Sequence, residues 1–222
     1  HATAFAQIAA RQFGIPIELF QFAQADTTLL PAGFGHGGAR SMHMGGGALV
    51  KAITASIEAG KQVAADLLQI NPNTVQYKSG SYLSDTGASV TLAAVVASAR
   101  HSTPGQSHLM NQNASVEDAA FTFPNGCHLA EVEIDPDTGT VILARYIIVD
   151  DYGNMVNPML TEGQVHGGTA QGIGQASMEA VVYDTGSGQL LSGSLMDYTT
   201  PRATDMPFLD VHLGGPPTTA NP

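Results

Sequence analysis

Apolar positions at the start of the chain recur at helical spacing. Phe5, Ile8, Ala9 and Phe13 fall on one face, and Gly14 and Pro16 then stop the helix they predict. Residues 17–22, IELFQF, alternate apolar and polar side chains, which is the period of a strand. Glycine dominates residues 23–45, where a long loop is expected. The apolar set Leu49, Val50, Ile53, Ile57, Ala64, Leu67 and Leu68 returns to helical period. It predicts a long amphipathic helix that ends before NPN at 71–73.

Residues 74–90, TVQYKSGSYLSDTGASV, read as a small hairpin between turn residues, and residues 89–100 as a helix with Ser89 as its N-cap. Periodicity is weak over 101–124, which suits a connection over the surface. The clearest local signal is CHLAEVEIDPDTGTVILARYIIVDD, residues 127–151. It predicts two strands around DPDTG, with Gly139 where a positive φ is needed. Residues 161–181 have helical spacing but five glycines, each costing about 1 kcal/mol against alanine. Such a helix makes sense only where something approaches its backbone closely. A second hairpin is expected over 180–194. Helices that alternate with antiparallel hairpins predict an α+β fold, the helices packed on the hairpins. The chain reads as two portions, 1–120 with the glycine loop and 121–222 with the later hairpins and the Gln-Gly helix.

Composition narrows the class. Only 12% of the 222 residues are charged, about half the usual share. With 25 glycines, this suits part of a larger assembly better than a solvated monomer. The net charge is −11 and the eight Lys and Arg residues make no basic stripe, so nucleic acid is not an expected partner. Cys127 is the single cysteine, which excludes an internal disulfide and any cysteine-built cluster within the chain. No apolar run is long enough for a transmembrane helix, and no membrane partner is expected. The chain opens already in helical period and stops in a loop, as expected of a piece of a longer polypeptide.

Gly33, Gly35 and Gly38 match G-x-G-x-x-G, and Glu58 lies twenty residues beyond. A dinucleotide fingerprint must follow its strand directly, however, and here about ten residues intervene. No G-K-[ST] is present. His36, His43, His101, His108, His128, His166 and His212 form neither H-x-H nor H-E-x-x-H, and they read as loop or partly buried histidines bonded to backbone. Asp150 and Asp151 end a strand and read as a turn or cap. Two glycine-rich segments remain, each leading into or lying in a helix. Exposed backbone N–H groups at such places bind anions and polar cofactors. Arg40 and Ser41 would add a charge and a hydroxyl, and Gln171 an amide. Close helix–helix contacts explain the same glycines equally well.

A resemblance separates these alternatives. The run DDYGNMVNPMLTEGQVHGGTAQGIGQASMEAVVYD, residues 150–184, resembles the large, molybdopterin-binding subunit of the molybdenum hydroxylases. This family includes xanthine dehydrogenase, aldehyde oxidase and aerobic carbon monoxide dehydrogenase. GGARSMHMGGGALVKA resembles its pterin loop, NGCHLAEVEIDPDTGTV its central hairpin and GSLMDYTTPRATDMP its later Met-Asp-Tyr and Pro-Arg segment. The motifs cover nearly the whole chain in the family's order.

The resemblance implies that Gly38, Ala39, Arg40 and Ser41 hold the pterin and its phosphate, that Gln171 hydrogen-bonds the pterin, and that Thr3 belongs to the same surroundings. Ala39 stands where serine is commoner. The implied reaction hydroxylates an aldehyde, purine or N-heterocycle with water as oxygen source, or oxidises carbon monoxide. The implied cofactor is molybdopterin with molybdenum, in its cytosine dinucleotide form. Iron–sulfur clusters and FAD are implied on a small and a medium partner subunit, in a dimer of heterotrimers in a bacterial cytoplasm. The family's catalytic glutamate and its substrate loop are expected outside residues 1–222, so no catalytic residue and no metal ligand is assigned here. Glu162 and Glu179 read as surface or capping residues. The competing expectation is a scaffold without chemistry of its own.

Overall fold

The computed structural model describes residues 1–30, 33, 35–100, 108–117, 122–217 and 219. The chain divides into two compact units, 1–121 with 219–222, and 122–218. Helices and two three-stranded sheets make it α+β, as the sequence predicts.

The first unit opens with α1 (Ala2–Phe13), closed by Gly14 at φ 65, whose N–H donates to the Ala10 carbonyl. A Cβ at Gly14 would stand 2.6 Å from the Ser79 Cα, so the chain can pass there only as glycine. Residues 17–22 do not form the expected strand. Ile17–Leu19 make a 3-10 turn, and irregular backbone follows. Their apolar side chains serve α1 instead of a sheet. Phe20 stacks on Phe13 at 6.0 Å between ring centroids, and Phe22 meets Phe5 edge-on at 5.7 Å.

The long helix is α2 (Gly46–Leu68), closed by Gln69 in the left-handed region. A π-helical turn, Ser41–Gly45, leads into it, so the end of the expected loop is helical. Packing explains the difference. The Phe5 ring comes within 3.2 Å of where a Gly45 Cβ would sit, and the Ile8 Cδ1 within 3.6 Å of the Gly46 position. Tertiary contact with α1 outweighs the poor helix propensity of glycine.

Strands β1 (Gln76–Lys78), β2 (Ser81–Leu83) and β3 (Ser89–Thr91) form an antiparallel meander, one strand more than the expected hairpin. Ser79 and Gly80, both with positive φ, make the two-residue turn. Helix α3 (Leu92–Arg100) follows. Ser89 lies in β3 and is not its N-cap. Thr91 takes that role, its Oγ1 accepting the Ala94 N–H at 3.2 Å. The core gathers Ala64, Ala65, Val75, Tyr82, Leu92, Val95 and Met110. Met110 corrects the purely superficial reading of 101–124, since it is buried and its carbonyl accepts the Ser56 hydroxyl at 2.9 Å. Residues 101–107 and 118–121 of that connection lie outside the described residues.

The second unit is built on the hairpin β4 (Asn125–Ile134) and β5 (Val141–Asp151), with Gly139 at φ 71 in its turn as expected. A third strand, β6 (Leu209–Gly214), joins β5 in parallel and was not expected. Helix α4 (Pro158–Ser177) carries the five glycines. It starts at Pro158, and the Asn157 side chain caps it by accepting the Leu160 N–H. The second hairpin is small, a single bridge between Tyr183 and Leu190 around the Asp184 turn. No helix among the described residues is long and apolar enough to cross a membrane.

Candidate functional site

The glycine loop of the first unit presents open backbone. Gly35 and Gly38 have φ 68 and 56, and no described atom lies within 4 Å of where their Cβ atoms would be. Ala39 continues in the left-handed region at φ 57, a conformation that costs a non-glycine residue roughly 1–2 kcal/mol. Arg40 then returns to right-handed geometry as the residue before the Ser41–Gly45 turn. The loop is thereby laid against the N-terminal end of a helical segment, whose first N–H groups lack partners within the helix. Arg40 is exposed and, among the described residues, forms no ion pair. A free guanidinium beside open backbone suits an anion.

The first turn of α1 borders this loop. The His1 ring lies 5.2 Å from the His36 ring, and Phe5 touches the Gly45 position. Thr3 is exposed on that turn. The structure therefore brings the helix end bearing Thr3 to the segment bearing Gly38, Ala39, Arg40 and Ser41. The backbone of this segment is left bare, and its N–H groups with the Arg40 guanidinium and the Ser41 hydroxyl suit an anion.

Gln171 belongs to the second unit. It is exposed on α4, one turn after Gly167. Nothing among the described residues lies within 4 Å of the Cβ positions of Gly163, Gly167, Gly168 and Gly172, whereas Gly174 packs on Pro201 and Glu179. Close packing thus explains Gly45, Gly46 and Gly174, and leaves Gly35, Gly38 and most of the α4 glycines open.

The histidines differ from the backbone-bonded reading. His108 follows it, its Nε2 lying 3.2 Å from the Val96 carbonyl. His36 instead places Nδ1 2.7 Å from the Ser41 hydroxyl, His128 faces Asp150 and His212 faces Asp210. His101 lies outside the described residues. Asp151 makes the expected turn by accepting the Gly153 N–H. Asp150 is more than a turn residue: it is buried and accepts the Tyr152 phenol at 2.9 Å. Burial first, then that bond, pushes the Tyr152 phenol up to about 12. Glu162 is exposed on α4, and Glu179, beyond the helix end, accepts the Tyr198 hydroxyl. Sequence reading missed the His36–Ser41 contact; only the five-residue spacing across a glycine turn hinted at it.

An α+β chain that offers open glycine backbone beside a guanidinium without an ion pair among the described residues has the form of a binder of anionic cofactors. Residues 1–207 match the molybdopterin cofactor-binding domain, and the chain belongs to that family. The carbon monoxide dehydrogenase large chain of Hydrogenophaga pseudoflava is 33% identical over 93% of this chain and 26% of its own length. Subunit gamma of the 6-hydroxypseudooxynicotine dehydrogenase complex of Paenarthrobacter nicotinovorans is 32% identical over 94% of this chain and 27% of its own length. Among solved structures, quinoline 2-oxidoreductase from Pseudomonas putida 86 superposes with a TM-score of 0.82 at 31% identity, over 100% of this chain and 29% of that one. The Cu,Mo-CO dehydrogenase superposes at 0.87 with 27% identity, over 100% of this chain and 28% of that one. The chain thus spans little more than a quarter of the length of these relatives.

Proposed function

We propose that residues 1–222 hold the molybdenum cofactor within the large subunit of a molybdenum hydroxylase. The substrate would be an aldehyde, a purine, an N-heterocycle or carbon monoxide. The observation that carries this reading is the bare cradle from Gly35 to Ser41, in a chain of the molybdopterin cofactor-binding family. Gly38 and Ala39 bring backbone to the pterin phosphate, Arg40 supplies charge, and Ser41 a hydroxyl. Thr3 and Gln171 add polar contacts. When bound, the cofactor supplies the two-electron oxidation of the substrate. The chain's own part is to bind and orient it. The cytosine dinucleotide form, iron–sulfur and FAD partner subunits in a dimer of heterotrimers, and a cytoplasmic setting complete the proposal, in line with relatives whose names denote multisubunit complexes.

The test is pterin and molybdenum content of the full-length native complex. Arg40→Ala and Ser41→Ala each remove a hydrogen bond to a charged group, worth about 1.5–3 kcal/mol and so roughly tenfold or more in affinity. Glu58→Ala is the control, because Glu58 is exposed on α2, where it pairs with Lys61 at 2.7 Å. Lower pterin occupancy is expected in the first two variants and not in the third. Equal occupancy in all three removes the role of the loop.

A further inference from the structure

Ser41 sits at the head of the helical segment, and its hydroxyl has one proton to give and two lone pairs. His36 lies five residues earlier, on the far side of the Gly37–Ala39 turn. Its Nδ1 is 2.7 Å from the Ser41 Oγ. The exposed His36 ring also lies beside His1 at 5.2 Å, tilted to it, and His1 in turn stacks on Phe5 at 5.8 Å.

The direction of the bond decides what Ser41 has left to offer. If the Ser41 proton goes to Nδ1, the oxygen turns only lone pairs to its other neighbours, and an anion is repelled. If Nδ1–H donates to Oγ, the Ser41 proton remains free to point into the cradle. The open backbone at Gly35 and Gly38 and the positive Arg40 make this loop a place for negative charge, which favours the second arrangement.

We propose that His36 is a positioning residue that donates Nδ1–H to Ser41 Oγ and so commits the Ser41 proton to the phosphate of the bound cofactor. This rests on the cofactor reading given above for the same loop. His36 acts through Ser41 and does not itself touch the phosphate.

A double-mutant cycle in the full-length native complex tests it, with rate of pterin loss on dilution as readout and the thermal midpoint as a check on folding. His36→Ala is expected to speed pterin loss about fivefold, the worth of one ordinary hydrogen bond. His36→Asn, whose side-chain amide N–H can take the place of Nδ1–H, restores most of the retention. The His36→Ala, Ser41→Ala pair loses pterin no faster than Ser41→Ala alone. Fast loss in Ser41→Ala with normal retention in His36→Ala would overturn the inference and leave the cofactor reading standing. So would additive losses in the double variant, which would make His36 an independent contact. Normal retention in Ser41→Ala would overturn the inference as well, and the cofactor reading would fall with it only if Arg40→Ala also retained its pterin.

Discussion

Ala39 and Gly60 show opposite relations between side chain and backbone. Ala39 carries a Cβ where its φ of 57 favours glycine. Ala39→Gly removes a cost of roughly 1–2 kcal/mol and adds about 0.4–1 kcal/mol of unfolded-chain freedom. A net gain of about 0.5 kcal/mol is expected, read as a higher urea midpoint of the full-length subunit. Gly60 has no room for a methyl. A Cβ there would overlap the Tyr82 hydroxyl and lie 3.2 Å from the Met110 Cε. Gly60→Ala is expected to cost about 2 kcal/mol through overpacking. An unchanged midpoint would mean that α2 and the meander are looser than the buried Tyr82 implies. Burial also raises both phenols of this core, Tyr77 to about 12 and Tyr82 further. A raised phenol favours the folded state fully below the unfolded value near 10. That contribution is lost as pH climbs through the folded value. Stability of the first unit should therefore fall between pH 10 and 12, and Tyr77→Phe should flatten the fall in a pH series of chemical melts.

Among the elements, caps and partners decide more than periodicity. Thr91→Ala removes the bond to the Ala94 N–H and should cost about 1 kcal/mol, as N-cap losses do. Ser89→Ala, on an exposed strand position, should stay within about 0.5 kcal/mol. Reversed magnitudes in thermal melts would restore Ser89 as the cap. The sequence showed α1, α2, the β4–β5 hairpin and the glycine helix, because each satisfies its own hydrogen bonds locally and leaves a periodic face. It misled at residues 17–22, where alternation alone does not supply a neighbouring strand and α1 took the phenylalanines. It was silent on β6, whose partner lies far away in sequence. For the site, glycine spacing and Arg40 marked the loop, but glycines packed against α1 looked the same as glycines left open. Only the packing separates Gly45 from Gly38, and only the fold brings His36 to Ser41.

At the scale of the whole chain, much surface is unfinished. Every residue of β4 is exposed, and Leu129, Val132 and Ile134 are each more than half so. Edge strands with apolar side chains invite association. Residues 1–222 expressed alone should self-associate at micromolar concentration and bind a hydrophobic dye; a clean monomer in sedimentation would contradict this. The same piece should turn over neither aldehyde nor purine, since catalysis needs positioned groups in a closed site. Measurable turnover by it alone would contradict the division of labour proposed here.

The parallel strand β6 adds a matter of timing. Its partner β5 ends at Asp151, and residues 152–208 must be made before β6 begins. At a synthesis rate of about 5–20 residues per second, β5 waits roughly 3–11 s with one edge bare. A ribosome that pauses after α4 prolongs that interval and gives a wrong strand its opportunity. A pause that comes once β6 has emerged and paired does not.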